Sequence, residues 1–258
     1  MLQLVLGRSG FGKTHWIHDQ VAAWAQGEGG PLYLLVPEQF SFESERALLR
    51  RLSPAAANRV QVITFSRLAE TLCPPKGGQR VDDTVRTLLM SEALSACRDQ
   101  LDLYRAHTAD PDYIGCLLSL LTECKQNAIS PAMLEQTASL LPDNALKHKT
   151  QELGLILAAY DALMGQAWTD PLDDLSCLAE HLKEHPLPTG TCVAVDSFNG
   201  FTGQELAVLR LLIRQAKQVT VALCTDTLEV EEDSGDPLSL VSRTACRLVD
   251  MARGRPVP

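Results

Sequence analysis

Apolar residues follow two different patterns along the chain. Near both ends, in residues 1 to 72 and 190 to 258, short apolar runs such as LQLVL and PLYLLV alternate with amphipathic stretches. Uninterrupted Val, Leu and Ile runs are typical of parallel strands that helices cover on both faces. The two end segments therefore predict a single discontinuous α/β domain built on a parallel sheet.

The middle of the chain, residues 73 to 189, shows helical spacing only, as in DDTVRTLLMSEALSAC. Asp82, Ser130 and Asp170 are predicted N-caps, and prolines follow directly after the second and third of them, at first helical positions. The helix breakers CPPKGGQR and KEHPLPTG bound this stretch. The pattern predicts an all-helical insert that interrupts the α/β domain.

Composition excludes several classes of protein. A chain of 258 residues with 45% hydrophobic residues can bury a real core. It has no apolar stretch of about 18 residues and no secretory leader pattern at its start, so we expect a cytoplasmic protein that has no membrane partner. Its eight cysteines form no C-x-x-C pair, which favours reduced core thiols over a metal or iron–sulfur site within the chain.

The net charge of −9 is unevenly distributed. Residues 73 to 189 carry nine Lys or Arg and seventeen Asp or Glu, whereas residues 1 to 72 carry seven and six. Phosphate contacts depend on local Lys and Arg rather than on the total charge. A nucleic-acid partner is therefore still compatible with the end segments.

The segment GRSGFGKT, residues 7 to 14, satisfies the phosphate-binding pattern G-x-x-x-x-G-K-[ST] between a predicted strand and a predicted helix. Backbone N–H groups of such a loop cradle phosphates, the lysine reaches the β and γ oxygens, and the hydroxyl ligates Mg²⁺. The alternative is a glycine-rich turn with an exposed lysine. The predicted ATP ligands in this loop are Gly7, Ser9, Gly10, Gly12, Lys13 and Thr14.

A second predicted strand, in VAVDSFNGF, ends at Asp196. Its carboxylate would hold Mg²⁺ together with Thr14, directly or through water. Taken alone, such an aspartate is as often an ordinary helix cap. Ser197 occupies the next position, where helicase-type ATPases carry a glutamate that orients the attacking water, so we expect weak hydrolysis or none.

Two further segments leave predicted strands at their carboxyl ends, where open α/β sheets bind ligands. VPEQFSFESERAL contributes Gln39 and Ser41, and VITFSRLAE contributes Phe65 and Arg67. Proteins bind single-stranded nucleic acid through hydrogen-bonding groups, aromatic rings and cations of this kind. The plainer interpretation is a polar loop beside a core phenylalanine.

Taken in order, GRSGFGKT, VPEQFSFESERAL, VITFSRLAE, VAVDSFNGFTGQELAVLRLL and VTVALCTD resemble the N-terminal helicase-like region of the B subunit of AddAB-type helicase-nucleases. The resemblance covers the α/β segments at both ends, while the middle fits by position and type only. It implies a P-loop domain 1A like that of superfamily 1 helicases, split by a helical 1B-like insert. It also implies that the chain is the N-terminal fragment of a longer protein.

The resemblance further implies what the intact protein does. Such a B subunit pairs with an A subunit that supplies the motor, and the complex resects DNA double-strand breaks for recombinational repair. A C-terminal nuclease domain with an iron–sulfur cluster would lie beyond this chain. The helicase-like half channels the single strand and inspects it for a hotspot sequence (Chi), which implies strand contacts by Gln39, Ser41, Phe65 and Arg67. Glu70 stands where relatives can carry an aromatic residue.

Two rival functions remain. An independent P-loop NTPase or small-molecule kinase would need a phosphoryl-acceptor pocket under a short lid, whereas this insert exceeds a hundred residues and is acidic. The other rival is a scaffold that docks a partner through its helical insert and no longer binds a ligand. The strand VTVALCTD also lacks the glutamine with which a motor senses the γ-phosphate.

Overall fold

The computed structural model describes residues 1–73, 77–107, 110–229 and 237–254. Most of the acidic run EVEEDSGD and the last four residues of the chain lie outside these ranges. The chain divides into two compact units, one formed by residues 1–73 and 175–258 and the other by residues 74–174. No helix within the described ranges is both long and apolar enough to cross a bilayer.

The first unit is built on a five-stranded, entirely parallel sheet, as the apolar runs predict. The strands are β1 (Leu2–Leu6), β2 (Leu32–Leu35), β3 (Val60–Ile63), β6 (Cys192–Val195) and β7 (Gln218–Leu223). Their spatial order is β1, β7, β6, β2, β3.

Helices cover both faces of this sheet, which confirms the α/β prediction. They are α1 (Lys13–Gln26), α2 (Glu38–Leu49), α3 (Pro54–Ala57), α4 (Phe65–Leu72), α9 (Asp174–Glu184), α10 (Gly203–Gln215) and α11 (Ser239–Ala252). Successive strand residues point to opposite faces. In β7, Ala222 joins the cluster around Ile17 of α1, whereas Val221 and Leu223 join the larger cluster beneath α10 and α11.

The second domain boundary differs from the predicted one at residue 189. Helix α9 belongs to the α/β unit, because Leu178 and Leu182 are buried in the same core as the strand residues Val193 and Val195. A run of helical spacing does not reveal which core its apolar face joins.

The second unit consists mainly of helices with their own core around Met90, Leu94, Ile156, Leu157 and Tyr160. Its helices are α5 (Asp83–Cys97), α6 (Pro111–Gln126), α7 (Pro131–Leu140) and α8 (Ala145–Ala167), with 3₁₀ turns at Arg98–Gln100, Arg105–His107 and Pro171–Asp173.

The predicted caps of this unit are confirmed, since the side chains of Asp82, Ser130 and Asp170 each accept a bond from a backbone N–H of the following turn. The prediction that the insert is all-helical is wrong in one place. Residues Gln79–Arg80 (β4) pair in parallel with Trp168–Thr169 (β5). Each strand is only two residues long, too short to leave an alternating pattern in the sequence.

Candidate functional site

The predicted phosphate and Mg²⁺ ligands lie at the carboxyl ends of two strands that flank β7. The loop that follows β1 leads into α1, Asp196 follows β6, and β7 lies between these two strands. Because all three strands are parallel, their ends open at one edge of the sheet. The fold therefore gathers groups from distant parts of the chain at this edge.

The loop owes its shape to two glycines. Gly10 and Gly12 have φ angles of 81° and 80°, in the left-handed region that other residues adopt only at a cost. Helix α1 begins at Lys13, with no capping side chain and no acidic residue in its first turn. Its N-terminal N–H groups, and the positive end of its dipole, are thus available to an anion.

The lysine ammonium lies across the loop. Lys13 Nζ donates to Gly7 O at 2.7 Å and to Arg8 O at 2.9 Å. Beyond it, Arg8 Nε is 2.7 Å from Asp226 Oδ2, in an exposed ion pair that ties the loop to the segment after β7. Lys13 and Arg8 thus place two cationic groups at the loop.

An open cavity of about 490 Å³ lies against the loop. It brings together six of the seven predicted ATP and Mg²⁺ ligands. The seventh, Gly7, supplies the carbonyl that accepts from Lys13 rather than part of the wall. The cavity is lined by Ser9, Gly10, Gly12, Lys13, Thr14, Phe40, Asp196, Ser197, Phe198, Asn199, Ala222 and Cys224.

Asp196 supplies the observation that points most directly to a cation. The residue is 2% exposed, and its buried Oδ2 has no hydrogen-bond partner among the described residues. A buried carboxylate oxygen without a partner is costly, whereas a divalent cation would satisfy it. Since Thr14 lines the same cavity, the donor set of one hydroxyl and one carboxylate fits Mg²⁺ bound with phosphates.

The residue after Asp196 is conformationally unusual. Ser197 has a φ angle of 67°, in the left-handed region. Among the described residues that line the cavity, Asp196 is the only carboxylate. The wall of this cavity therefore offers no second carboxylate to orient an attacking water.

His18, one turn after Thr14 on α1, lies beneath this region. It is 3% exposed, and its Nε2 has no hydrogen-bond partner within the described part of the chain. Loss of solvation on burial, reinforced by the nearby Arg51 guanidinium, lowers the pKa of His18 from its usual value, although Asp196 opposes the shift. The imidazole is accordingly a neutral packing group near neutral pH.

A second cavity, of about 640 Å³, opens beyond the ends of β2 and β3. We call it the strand groove. It brings together three of the four residues predicted to contact DNA, Ser41, Phe65 and Arg67. Its lining is Val36, Pro37, Glu38, Ser41, Phe42, Glu45, Val62, Ile63, Thr64, Phe65, Ser66, Arg67, Glu70, Phe198 and Glu205.

The four predicted residues are differently placed. Gln39 is exposed on the first turn of α2 and is not part of the groove wall. Ser41 Oγ donates to Glu38 O at 2.9 Å. Arg67 is exposed.

Phe65 is 4% exposed, and its ring meets Phe198 edge-on with centroids 5.5 Å apart. Its faces are thus taken up by core packing, as in the plainer sequence interpretation, and it forms the floor of the groove rather than an open stacking surface.

The charge of the groove wall differs from that of a surface that binds a nucleic-acid phosphate backbone. Arg67 is the only Lys or Arg among the described residues that line it. Four carboxylates share the wall, from Glu38, Glu45, Glu70 and Glu205. Glu205 is committed to the capping box of α10, where its Oε2 accepts from Thr202 N at 2.7 Å.

Sequence reasoning did not single out five lining residues of the cavity against the phosphate loop: Phe40, Phe198, Asn199, Ala222 and Cys224. Their common signal was available, because each lies within a few residues of a strand's carboxyl end. Phe198 lines both cavities. In the part of the chain that the structure describes, no group of three or more His, Cys, Asp or Glu side chains is arranged to hold a metal ion.

Comparison with known proteins gives a consistent family assignment. A family model described as "ADDB, N-terminal" matches residues 4–258. The chain is 33% identical over 261 residues to the B subunit of the ATP-dependent helicase/deoxyribonuclease of Desulforudis audaxviator, covering 98% of this chain and 22% of that protein. For the protein of the same name from Acetivibrio thermocellus, the identity is 29% over 262 residues, with coverages of 100% and 23%. The chain thus spans less than a quarter of the length of these relatives.

Proposed function

The chain belongs to the ADDB N-terminal family, and we propose that it is the nucleotide-binding and strand-contacting part of the B subunit of a DNA-resecting helicase-nuclease. In this proposal the intact protein pairs with an AddA-type subunit in the cytoplasm, and the complex processes double-strand breaks for recombinational repair. The single observation that carries it is the match over residues 4–258. The relatives are named as B subunits of an ATP-dependent helicase/deoxyribonuclease, which supports the same class of protein.

ATP with Mg²⁺ is the proposed ligand of the cavity against the loop of residues 7–14, which we call the ATP cavity. The backbone N–H groups from Ser9 to Thr14 would surround the phosphates. The Lys13 ammonium would donate to phosphate oxygens instead of to the carbonyl oxygens of Gly7 and Arg8. Thr14 and the unpartnered Asp196 would hold the cation, which neutralises phosphate charge when bound. Domain 1A of a superfamily 1 helicase is the corresponding structural assignment for this unit.

Hydrolysis is not part of the proposed role. A water attacking the γ-phosphate must be oriented by a neighbouring group. Ser197 offers a hydroxyl at the position in question, and no second carboxylate lies among the described residues of the wall. ATP is therefore proposed as a structural or regulatory ligand that the protein retains.

Single-stranded DNA is the proposed ligand of the strand groove. Arg67 would contact a phosphate at the rim, and Ser41 and Gln39 would offer hydrogen bonds from α2. The apolar lining, in which Phe65 is a buried floor and not a stacking face, would give the bases a nonpolar surface. Because the described part of the wall has one cation and four carboxylates, contact would be mainly to bases, as sequence inspection of the kind implied for Chi requires.

The test is a pair of titrations of this chain, one with Mg–ATP and one with a fluorescent single-stranded oligonucleotide, across a salt series. A single phosphate contact predicts a slope of roughly −0.7 in the logarithm of the DNA affinity against the logarithm of salt concentration. Absence of DNA binding at low salt would refute the groove assignment. Rapid phosphate transfer to a small acceptor would instead support the kinase alternative.

A further inference from the structure

Cys224 occupies a particular position in the ATP cavity. It directly follows β7, the strand between the one that leads into the phosphate loop and the one that ends at Asp196. Side chains alternate along a strand, and Ala222 faces α1 while Leu223 faces the opposite core. Cys224 therefore continues on the α1 side, and both it and Ala222 line the cavity.

A second observation shows that this cavity is built for a ligand. Asp196, which also lines it, is 2% exposed and has a buried oxygen that lacks a partner among the described residues. Lys13 and the N–H groups of the loop face the same space. Cys224 is thus a thiol in the wall of an anion- and cation-binding cavity.

Several of the other cysteines differ from Cys224 in their burial or in their position. Cys97, Cys124 and Cys192 are buried, and loss of solvation raises the pKa of each thiol, which suppresses the reactive thiolate. Cys224 is only partly buried, so a reagent that enters the cavity can reach it. Cys116, on α6 of the other unit, is exposed and lies outside the cavity.

We propose that Cys224 is a covalent modification site for low-molecular-weight disulfides, and that its modification and nucleotide binding exclude each other. The Cys224 thiolate attacks one sulfur of glutathione disulfide, a new S–S bond forms as the old one breaks, and glutathione thiolate leaves. The attached glutathionyl group carries two carboxylates, which would face Lys13 and the loop N–H groups. A dithiol reductant reverses the exchange.

This inference rests on the proposed function, because the occupant of the cavity is taken to be Mg–ATP. Two consequences follow because the nucleotide and the glutathionyl group would occupy the same cavity. Bound nucleotide must shield Cys224 while leaving Cys116 reactive. A glutathionyl group on Cys224 must lower the affinity for nucleotide until it is removed.

The experiment treats the chain with glutathione disulfide, with and without the nonhydrolysable analogue AMP-PNP and Mg²⁺, and follows each cysteine by peptide mass spectrometry. With the analogue at about 100 times its Kd, modification of Cys224 should slow about 100-fold if only the free form reacts, while Cys116 serves as the internal control. After modification, analogue affinity should fall at least about tenfold and return with dithiothreitol. Cys224→Ser should show no change in its own affinity on disulfide treatment, whereas Cys246→Ser should respond as the parent does.

Failure of the inference and failure of the proposed function are distinguishable, because analogue binding to the unmodified chain is measured first. If the unmodified chain does not bind the analogue, the proposed function is refuted and this inference with it. If the analogue binds but Cys224 reacts equally fast in its presence, or the modified chain binds it normally, only the present inference is overturned.

Discussion

The two cavities at the carboxyl edge of the sheet are built on different principles. The ATP cavity lies against a loop that contains two left-handed glycines, and its described lining includes one lysine and one carboxylate, whose buried oxygen has no partner among the described residues. The strand groove is lined by residues of α2, β3, α4, α10 and the segments after β2 and β6, and its described lining includes four carboxylates and one arginine. Both open at the same edge and share Phe198.

This difference separates what each cavity can recognise. Backbone N–H groups and a helix N-terminus select an anion, whatever it is attached to. The groove repels extended anions and offers apolar floor and carboxylate acceptors, which suit the faces and amino edges of unstacked bases. In the proposed function, this difference in charge assigns triphosphate recognition to the ATP cavity and mainly base recognition to the strand groove.

The largest effect should come from Lys13→Ala. It removes the ammonium that now bonds Gly7 O and Arg8 O, and a charge-assisted bond to phosphate contributes about 1.5–3 kcal/mol. We expect a loss of nucleotide affinity on the order of 100-fold by equilibrium dialysis, with DNA affinity of the isolated chain unchanged. Lys183→Ala, which removes an exposed lysine paired with Glu180, is the matched control. Equal loss of both ligands in Lys13→Ala would mean that the two cavities are not separate sites.

Arg67→Ala should have the next largest effect, on the groove alone. Arg67 is the only Lys or Arg among the described residues of the groove wall, so its loss should weaken binding of single-stranded DNA about tenfold and bring the salt slope close to zero. Fluorescence anisotropy across a salt series measures both. Arg46→Ala, an exposed arginine of α2 that does not line the groove, should leave them unchanged. An unchanged slope in Arg67→Ala would contradict the assignment of Arg67 to phosphate.

Neutralising the acidic rim should have a smaller and opposite effect. Glu38→Gln and Glu45→Gln each remove an exposed negative charge from the groove wall, and an exposed charge pair is worth about 1 kcal/mol at most. We expect each to raise DNA affinity about two- to fivefold at low salt. Glu43→Gln, on the same helix but outside the wall, is the control. A fall in affinity would mean instead that these carboxylates accept hydrogen bonds from bases.

The smallest effect concerns the packing beneath the ATP cavity. The pKa of His18 is lowered in the folded protein, mainly by burial, so the unfolded chain takes up a proton first as pH falls. The contribution of neutral His18 to the free energy of unfolding is therefore complete above about pH 6.5. It is lost as the pH falls below that value, by at most about 1.4 kcal/mol per pH unit. Urea unfolding at several pH values should show this loss in the parent and in the control His148→Gln, and a reduced loss in His18→Leu. Identical pH dependence in all three would mean that His18 does not titrate as inferred.

The sequence predicted those features that local chemistry determines. The strands are recognisable as runs rich in Val, Leu and Ile, and the caps Asp82 and Ser130 lie directly before their helices. The phosphate loop requires glycine at fixed positions. All the predicted ligands of ATP and Mg²⁺ therefore lie together, with Gly7 contributing its carbonyl. These signals are contiguous, so no knowledge of the tertiary structure was needed.

What the sequence could not predict depends on contacts between distant segments. The burial of Phe65 follows from the positions of Phe198 and Phe201, more than a hundred residues away. The acidity of the strand groove likewise arises because α2 contributes two glutamates to its wall, and α4 and α10 contribute one each. Helix α9 has the same spacing as the helices of the insert but packs on the sheet.

The most direct test of the central claim follows the fate of one bound nucleotide. The chain in excess is mixed with γ-labelled ATP and Mg²⁺, and bound label and released phosphate are measured in the same sample over time. We predict saturable retention of intact triphosphate, lost in Lys13→Ala, with phosphate release orders of magnitude below the roughly 1 per second of an ordinary enzyme. No retention at millimolar ATP, or release at about 1 per second or faster, would contradict it.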